Sequence, residues 1–350
     1  MCYKAAMDWK NTLKNSVVRA DGLAEVSGAD LSEAAQVTRT YPMRINAYWM
    51  DLMKKVGEPL VRQAVPSIEE LEESVLLEDP LCEEKDSPVP GLTHRYPDRV
   101  IFLVSNACAL FCRHCMRKRK VGRSEGVVTD ATIDAGIAYI QKTPKIRDVI
   151  VTGGDPLLLD DEKIEGILER LSKISHVEMI RIHTRVPATL PMRITKALCE
   201  KLKRFEKLWI NTHFNHPAEL TPEAEKALKH LNRTGAPLGC QTVLLKGVND
   251  RPEVMAALMR GLTKNRVKPY YIHHGDAVKG TGHFRTSIET GLAVMGGLRG
   301  HLSGLAVPTY VIDLPQGGGK VPLLPESVVK KEKSSLTVRG YDGKLYTYPL

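Results

Sequence analysis

From about residue 98 onward, short runs of β-branched and aliphatic residues alternate with amphipathic windows of helical period. The runs are Val100 to Val104, Asp148 to Thr152, Val177 to His183, Leu208 to His213, Leu238 to Leu245 and Val267 to His273. Most steps between them are about 25 to 30 residues, the length of one strand plus its crossover helix, and the first is longer. Six such units predict an α/β fold in which a parallel sheet curls into an incomplete (β/α)6 barrel. A seventh extended run, Pro308 to Leu314, leads into a glycine-rich turn, and Thr337 to Tyr346 reads as a hairpin turning at Asp342-Gly343.

Residues 1 to about 92 show helical patterning without strand-like alternation. Asp30 followed by Glu33, and Ser67 followed by Glu70, each place a capping oxygen three residues before a carboxylate, which marks a helix start. Asp86-Ser87-Pro88-Val89-Pro90-Gly91-Leu92 reads as an extended linker, since two prolines and a glycine resist helix and ladder alike. The expected organisation is a helical extension and linker over 1–92, the partial barrel over 93–305, and a short C-terminal segment with the hairpin over 306–350.

In barrels of this kind chemistry belongs at the C-terminal ends of the strands. The reactive residue types fall there: a cysteine-rich loop after the first strand, Gly153-Gly154-Asp155 after the second, His183 and His213 ending the third and fourth, and His273, His274 and Asp276 at the sixth. The loop after the first strand is Cys108-Ala109-Leu110-Phe111-Cys112-Arg113-His114-Cys115. Three thiols in so short a stretch can hold one compact metal centre, whereas a closed zinc or rubredoxin-like site wants a fourth ligand. A four-iron, four-sulfide (4Fe-4S) cluster on Cys108, Cys112 and Cys115 would leave one iron open to an exogenous ligand. A zinc knuckle completed by His94 or His114 is the alternative.

Composition narrows the classes. The chain has 350 residues, a net charge of +9 and seven cysteines. No run of about 18 apolar residues and no signal peptide is evident, so a cytoplasmic protein without a membrane span is expected. An odd cysteine count with one regular cluster argues against a disulfide framework, and Cys2, Cys82, Cys199 and Cys240 read as incidental. The positive charge is dispersed except at Arg117-Lys118-Arg119-Lys120, and with few aromatics the chain is not expected to bind nucleic acid.

Pro315-Gln316-Gly317-Gly318-Gly319-Lys320 is the second chemical feature. Its glycines allow close backbone approach, and Lys320 could supply an amine able to form a Schiff base. It lacks the spacing and strand-to-helix context of a phosphate-binding P-loop. Taken alone, it reads more readily as a surface loop with a solvated lysine.

Together the motifs decide the matter. His94-Arg95-Tyr96-Pro97-Asp98-Arg99, the cysteine loop with Arg117-Lys118-Arg119, Thr152-Gly153-Gly154-Asp155, Asn211-Thr212-His213-Phe214-Asn215-His216-Pro217, Lys268-Pro269-Tyr270-Tyr271-Ile272, His283-Phe284-Arg285-Thr286 and the glycine-lysine loop follow one another in an order that resembles the lysine 2,3-aminomutase family. The resemblance covers roughly residues 88 to 325, while the segment before it matches only in helical character. Members are radical S-adenosylmethionine (SAM) enzymes that also use pyridoxal phosphate (PLP). The resemblance implies a 4Fe-4S cluster on the three cysteines, with SAM on the open iron and PLP carried by Lys320. It further implies that Gly153, Gly154 and Asp155 contact SAM's amino-acid end, His213 its ribose side, and Arg95, Arg99 and Gln241 the PLP. His183, His216 and His301 read as structural.

For substrate, the resemblance places the α-carboxylate on Arg117, whose guanidinium can bind it bidentately. Asp276 and Asp313 match two aspartates that hold the ε-ammonium in lysine-specific members. Conversion of free L-lysine to β-lysine is therefore expected, with arginine, glutamate or a protein-bound lysine as the alternative. An electron donor such as flavodoxin or ferredoxin is the implied partner. Arg251 stands where a zinc ligand is found in some members, and the chain has no cysteine after Cys240, so a homo-oligomer, with a dimer favoured over a zinc-linked tetramer, is expected. Two other classes compete. An electron-transfer iron-sulfur protein would need neither Lys320 nor the aspartates, and an RNA-modifying radical enzyme would use the Arg117–Lys120 run on phosphates with strong salt dependence.

Overall fold

The computed structural model describes residues 8–72, 76–123 and 128–350. Its centre is a nine-stranded sheet whose spatial order follows chain order. The strands are β1 (Leu92–Tyr96), β2 (Arg99–Ser105), β3 (Asp148–Gly153), β4 (Met179–Thr184), β5 (Leu208–His213), β6 (Leu238–Leu244), β7 (Lys268–His274), β8 (Thr309–Leu314) and β9 (Gly319–Pro322). Strands β2 to β8 are mutually parallel. Short antiparallel strands close the two edges, β1 against β2 and β9 against β8. The sheet thus holds seven parallel strands where six units were expected: the extended run before the glycine loop joins the barrel, because Tyr271, Ile272 and His273 of β7 pair with Thr309, Tyr310 and Val311.

Alternation within the strands separates packing from chemistry. Val100, Phe102, Val149, Val151, Ile180, Ile182, Leu208 and Ile210 are buried in the main core, which also takes in buried faces of the helices Asp130–Lys142, Asp161–Ser172, Pro222–Asn232, Pro252–Lys264 and Ile288–Leu298. The intervening positions, among them Ile101, Thr152, Arg181, His183, His213, Gln241, His273 and Asp313, line a cavity on the sheet's other side. Parallel strands usually bury both faces in apolar contacts, so a polar concave face marks a binding site.

The N-terminal helices form a second core around Trp49, Met53 and Leu60, and Leu110 of the cysteine loop inserts into it. Asp30 caps the helix Leu31–Thr38 through the amides of Ser32 and Glu33. Ser67 and Glu70 form the expected capping box, but on a short 3-10 turn, Ile68–Leu71, rather than an α-helix. Glu70 is committed elsewhere, as the site shows. Strands β10 (Val328–Lys331), β11 (Ser335–Arg339) and β12 (Leu345–Pro349) form a separate antiparallel sheet, and its last hairpin turns through Gly343 with φ of 79°. Among the described residues no helix is long and apolar enough to cross a membrane. Cys2 lies outside the described residues.

Candidate active site

A cavity of about 510 Å³ opens at the C-terminal ends of the parallel strands. Every residue to which the resemblance gave a ligand lines it: Cys108, Cys112 and Cys115, the arginines 95, 99 and 117, Gly153, Gly154, Asp155, His213, Gln241, Asp276, Asp313 and Lys320. They come from β1, from β2 and the loop after it, from the ends of β3, β5, β7 and β8, and from β6 and β9.

The cysteine loop is held from two sides. On one, Gly154 N–H donates to Ser105 O and Asp155 N–H to Ala107 O, both at 2.6 Å. That approach needs a glycine, because a Cβ on Gly153 would fall 2.2 Å from Ser105 O, and its φ is +140°. The Asp155 carboxylate does not project freely: it accepts from the Thr184 hydroxyl at 2.8 and 2.9 Å and from the amides of Leu157, Arg185 and Val186. Burial nonetheless outweighs these donors and raises its pKa to about 6. On the other side, Phe111 N–H donates to Arg44 O and Arg113 N–H to Gln63 O. Arg113 and Lys118 both pair with Glu70, and all three are buried. The helical extension therefore clasps the loop through a buried ion network.

Among the described residues no three Cys, His, Asp or Glu side chains converge on a single ion. The two histidines that could add a fourth ligand each use one ring nitrogen, His94 Nδ1 with the Tyr139 hydroxyl at 2.8 Å and His114 Nε2 with Asn215 at 3.2 Å, while the buried His114 Nδ1 has no partner. A cubane asks only that three sulfurs surround a larger volume, each on its own iron. Burial, with the neighbouring thiols adding, pushes the Cys108 thiol well up, and burial with Cys112 lifts Cys115 to about 11. Metal binding would expel those protons. The donor set fits a polynuclear cluster.

At the opposite edge, Lys320 lies on β9 directly across from Asp313 on β8, and its ammonium donates to both carboxylate oxygens at 2.7 and 3.0 Å. The Tyr96 hydroxyl accepts the Lys320 amide at 3.0 Å and so ties β9 to the end of β1. Gly319, with φ of +85°, lets the chain pass that hydroxyl, since a Cβ there would stand 3.0 Å from it. Arg95 is anchored on Asp86 at 2.9 Å and on the Leu81 carbonyl. Arg99 stacks over Tyr96 at 4.4 Å and bonds Asp98. Gln241 accepts from the Tyr270 hydroxyl at 3.0 Å. Two arginines and a lysine amine around one recess fit an anionic aldehyde cofactor such as PLP.

Burial, with Asp313 nearby, raises Asp276 to about 7. His273 Nδ1 stands 3.9 Å from Asp313, and burial plus the Lys320 charge lowers its pKa to about 4, so the ring is neutral. His213, lowered to about 3 by burial and by Arg185, is neutral too and pairs with Asn215 at 2.9 Å. Arg117 is gripped by Glu83 through three hydrogen bonds of 2.7 to 3.1 Å. Although burial pushes Glu83 up, Arg117, Arg119 and Lys120 bring it to about 2. His183 lines the cavity with Nε2 on Asn211 at 2.8 Å, and His274 bonds the Tyr310 hydroxyl.

Sequence reasoning missed Glu70, Glu83, Tyr96 and Arg185. Tyr96 sat inside a quoted motif. The two glutamates lay in a segment whose acidic residues look solvent-facing until the fold buries them.

Residues 102–259 match the radical SAM superfamily, and residues 295–350 the lysine-2,3-aminomutase family. The chain is 46% identical over 97% of its length to an L-lysine 2,3-aminomutase of Fusobacterium nucleatum, covering 82% of that protein. It is 47% identical over 97% to the L-lysine 2,3-aminomutase of Methanococcus maripaludis, covering 81%. This chain belongs to the lysine 2,3-aminomutase family of radical SAM enzymes. A glutamate 2,3-aminomutase of Clostridioides difficile is 42% identical over 97% of the chain, covering 82% of that protein. The family is an isomerase family whose radical chemistry uses a 4Fe-4S cluster and SAM.

Proposed function

We propose that this protein converts L-lysine to β-lysine by 2,3-amino migration, with the cluster on Cys108, Cys112 and Cys115 and PLP on Lys320. The observation that carries the substrate choice is the pair of carboxylates, Asp276 and Asp313, that line one cavity. They share a cavity with Arg117. An α-amino acid held by its carboxylate at Arg117 presents its side-chain terminus to the remaining lining, and buried carboxylates favour a terminal ammonium. A glutamate side chain would meet like charge there, which disfavours glutamate despite the Clostridioides difficile relative.

Held by Cys108, Cys112 and Cys115, the cluster would with SAM supply one-electron radical chemistry, and PLP on Lys320 would supply a conjugated system able to delocalise an unpaired electron. The protein's part is placement and exclusion of water. Arg117 would orient the carboxylate, Asp276 and Asp313 the ammonium, and Arg95, Arg99 and Gln241 would hold the PLP. Gly153, Gly154 and Asp155 would hold SAM's amino-acid end, and neutral His213 its ribose side without adding charge. The reading includes a low-potential flavodoxin or ferredoxin as electron donor, a dimer, and a reducing cytoplasmic setting that keeps the three thiols available. It also keeps the three-part organisation, with 1–92 as a support for the cysteine loop.

Substitution tests it. Asp276→Asn or Asp313→Asn should collapse lysine turnover while iron content and SAM binding survive. Borohydride reduction of the PLP-loaded protein should leave cofactor on the peptide containing Lys320. Full lysine activity in both Asn variants would overturn the substrate assignment.

A further inference from the structure

Arg185 follows β4 directly and sits buried at the seam between barrel, cysteine loop and helical extension. Its Nη1 donates to Cys112 Sγ at 2.7 Å. Its Nη2 donates to Gln63 Oε1 at 2.6 Å and reaches both oxygens of Glu219 at 3.4 Å. The guanidinium lies 5.3 Å from the Trp49 ring, and its buried Nε–H has no protein partner. Glu219 is fully buried and is itself held by the amides of Asn215 and His216 and by Gln63 Nε2. A cation is thus pinned against one cysteine sulfur and balanced from behind by one fixed carboxylate.

We propose that Arg185 is a positioning residue that donates a charged hydrogen bond to the Cys112 thiolate of the cluster and thereby raises the cluster's reduction potential, with Glu219 setting how much positive charge the sulfur feels. The physical ground is general. Reduction adds one electron, delivered by a low-potential one-electron donor, and makes the cluster more negative without a bond being made or broken. Donors to the sulfurs and nearby cations favour that reduced state. The proposal rests on the assignment of the cluster to the three cysteines, not on the substrate.

Two substitutions move the potential in opposite directions. Arg185→Gln removes the charge, so the midpoint should become more negative; a tenfold lower ratio of reduced to oxidised cluster at fixed potential corresponds to ~59 mV for a one-electron couple. Glu219→Gln removes the balancing charge, so the midpoint should become less negative. The experiment is an anaerobic redox titration of each reconstituted protein without SAM, read by the electron paramagnetic resonance signal of the reduced cluster, alongside iron content and SAM affinity. An unchanged midpoint in Arg185→Gln together with weakened SAM binding would overturn the proposal and assign the guanidinium to SAM's carboxylate instead. If Arg185→Gln fails to assemble the cluster, Glu219→Gln decides: an upward shift supports the proposal, and no shift overturns it. Failure of the unmodified protein to hold about four irons would reject the cluster assignment itself.

Discussion

Lys320 and Asp313 form a cross-strand ion pair, fixed by the antiparallel register of β8 and β9 and closed at 2.7 Å. The two residues were assigned on sequence to different ligands, one to the cofactor and one to the substrate's ammonium. On the proposed reading, Lys320 holds the carboxylate that would take the substrate's ammonium.

Cofactor loading should therefore vacate the ammonium site. Lys320→Met removes the competing cation, and the PLP-free variant should bind free L-lysine about ten- to a hundredfold more tightly than the PLP-free parent, the range for a hydrogen-bonded charge. Equilibrium dialysis with labelled lysine measures it, and equal affinities would show that the pair does not compete.

Lysine binding should depend on pH through Asp276. Its pKa is raised to about 7 by burial and by Asp313, so below that pH the free site holds a proton on Asp276. A cation binding beside it must expel that proton. Affinity should accordingly fall by up to about tenfold per unit as pH drops below ~7, with proton release seen by calorimetry in buffers of different ionisation enthalpy. Asp276→Asn should bind more weakly but flatten the profile, and a flat profile in the parent would contradict the reading.

Glu70 should be essential to the cysteine loop. It compensates Arg113 and Lys118, all three out of solvent, and removing one partner of such a network costs about 3 to 5 kcal/mol. Glu70→Ala should lower the unfolding midpoint and the iron bound per chain. Burial pushes the Glu70 carboxyl up, but Arg113 and Lys118 bring it below its ordinary value. Its stabilisation is therefore present above the ordinary carboxylate pKa of about 4.3 and lost as pH falls through the lowered folded value. Denaturant unfolding of parent and variant at several pH values should show that difference shrinking in acid; a constant difference would refute the role.

Arg117→Lys keeps the charge but loses the fork that Glu83 now orients. It should weaken every α-amino acid substrate alike, by about tenfold or more, without altering preference among side chains. A change confined to lysine would place Arg117 at the wrong end of the substrate.

Much of this site was legible because strand alternation and strand-end position are local properties. His213 and Asp276 could be placed at strand ends from spacing alone, Asp313 only through the family resemblance, and the cysteine loop announced itself. The Lys320–Asp313 pair was not legible, because it requires the glycine turn to fold β9 back onto β8, and spacing does not tell a returning strand from a free loop. Glu70 and Glu83 were hidden for a different reason: their partners Arg113 and Arg117 lie more than thirty residues away, and only tertiary packing removes them from water. The seventh parallel strand was seen as extended, but its pairing with β7 follows an intervening helix and turn longer than the crossovers between β3 and β7.

The most direct test of the account is turnover itself. The reconstituted protein, reduced anaerobically with SAM and PLP, should convert L-lysine to β-lysine and show little turnover of L-glutamate at equal concentration, as followed by chromatography of the derivatised amino acids. Faster conversion of glutamate than of lysine would contradict the claim that two buried carboxylates select a terminal ammonium.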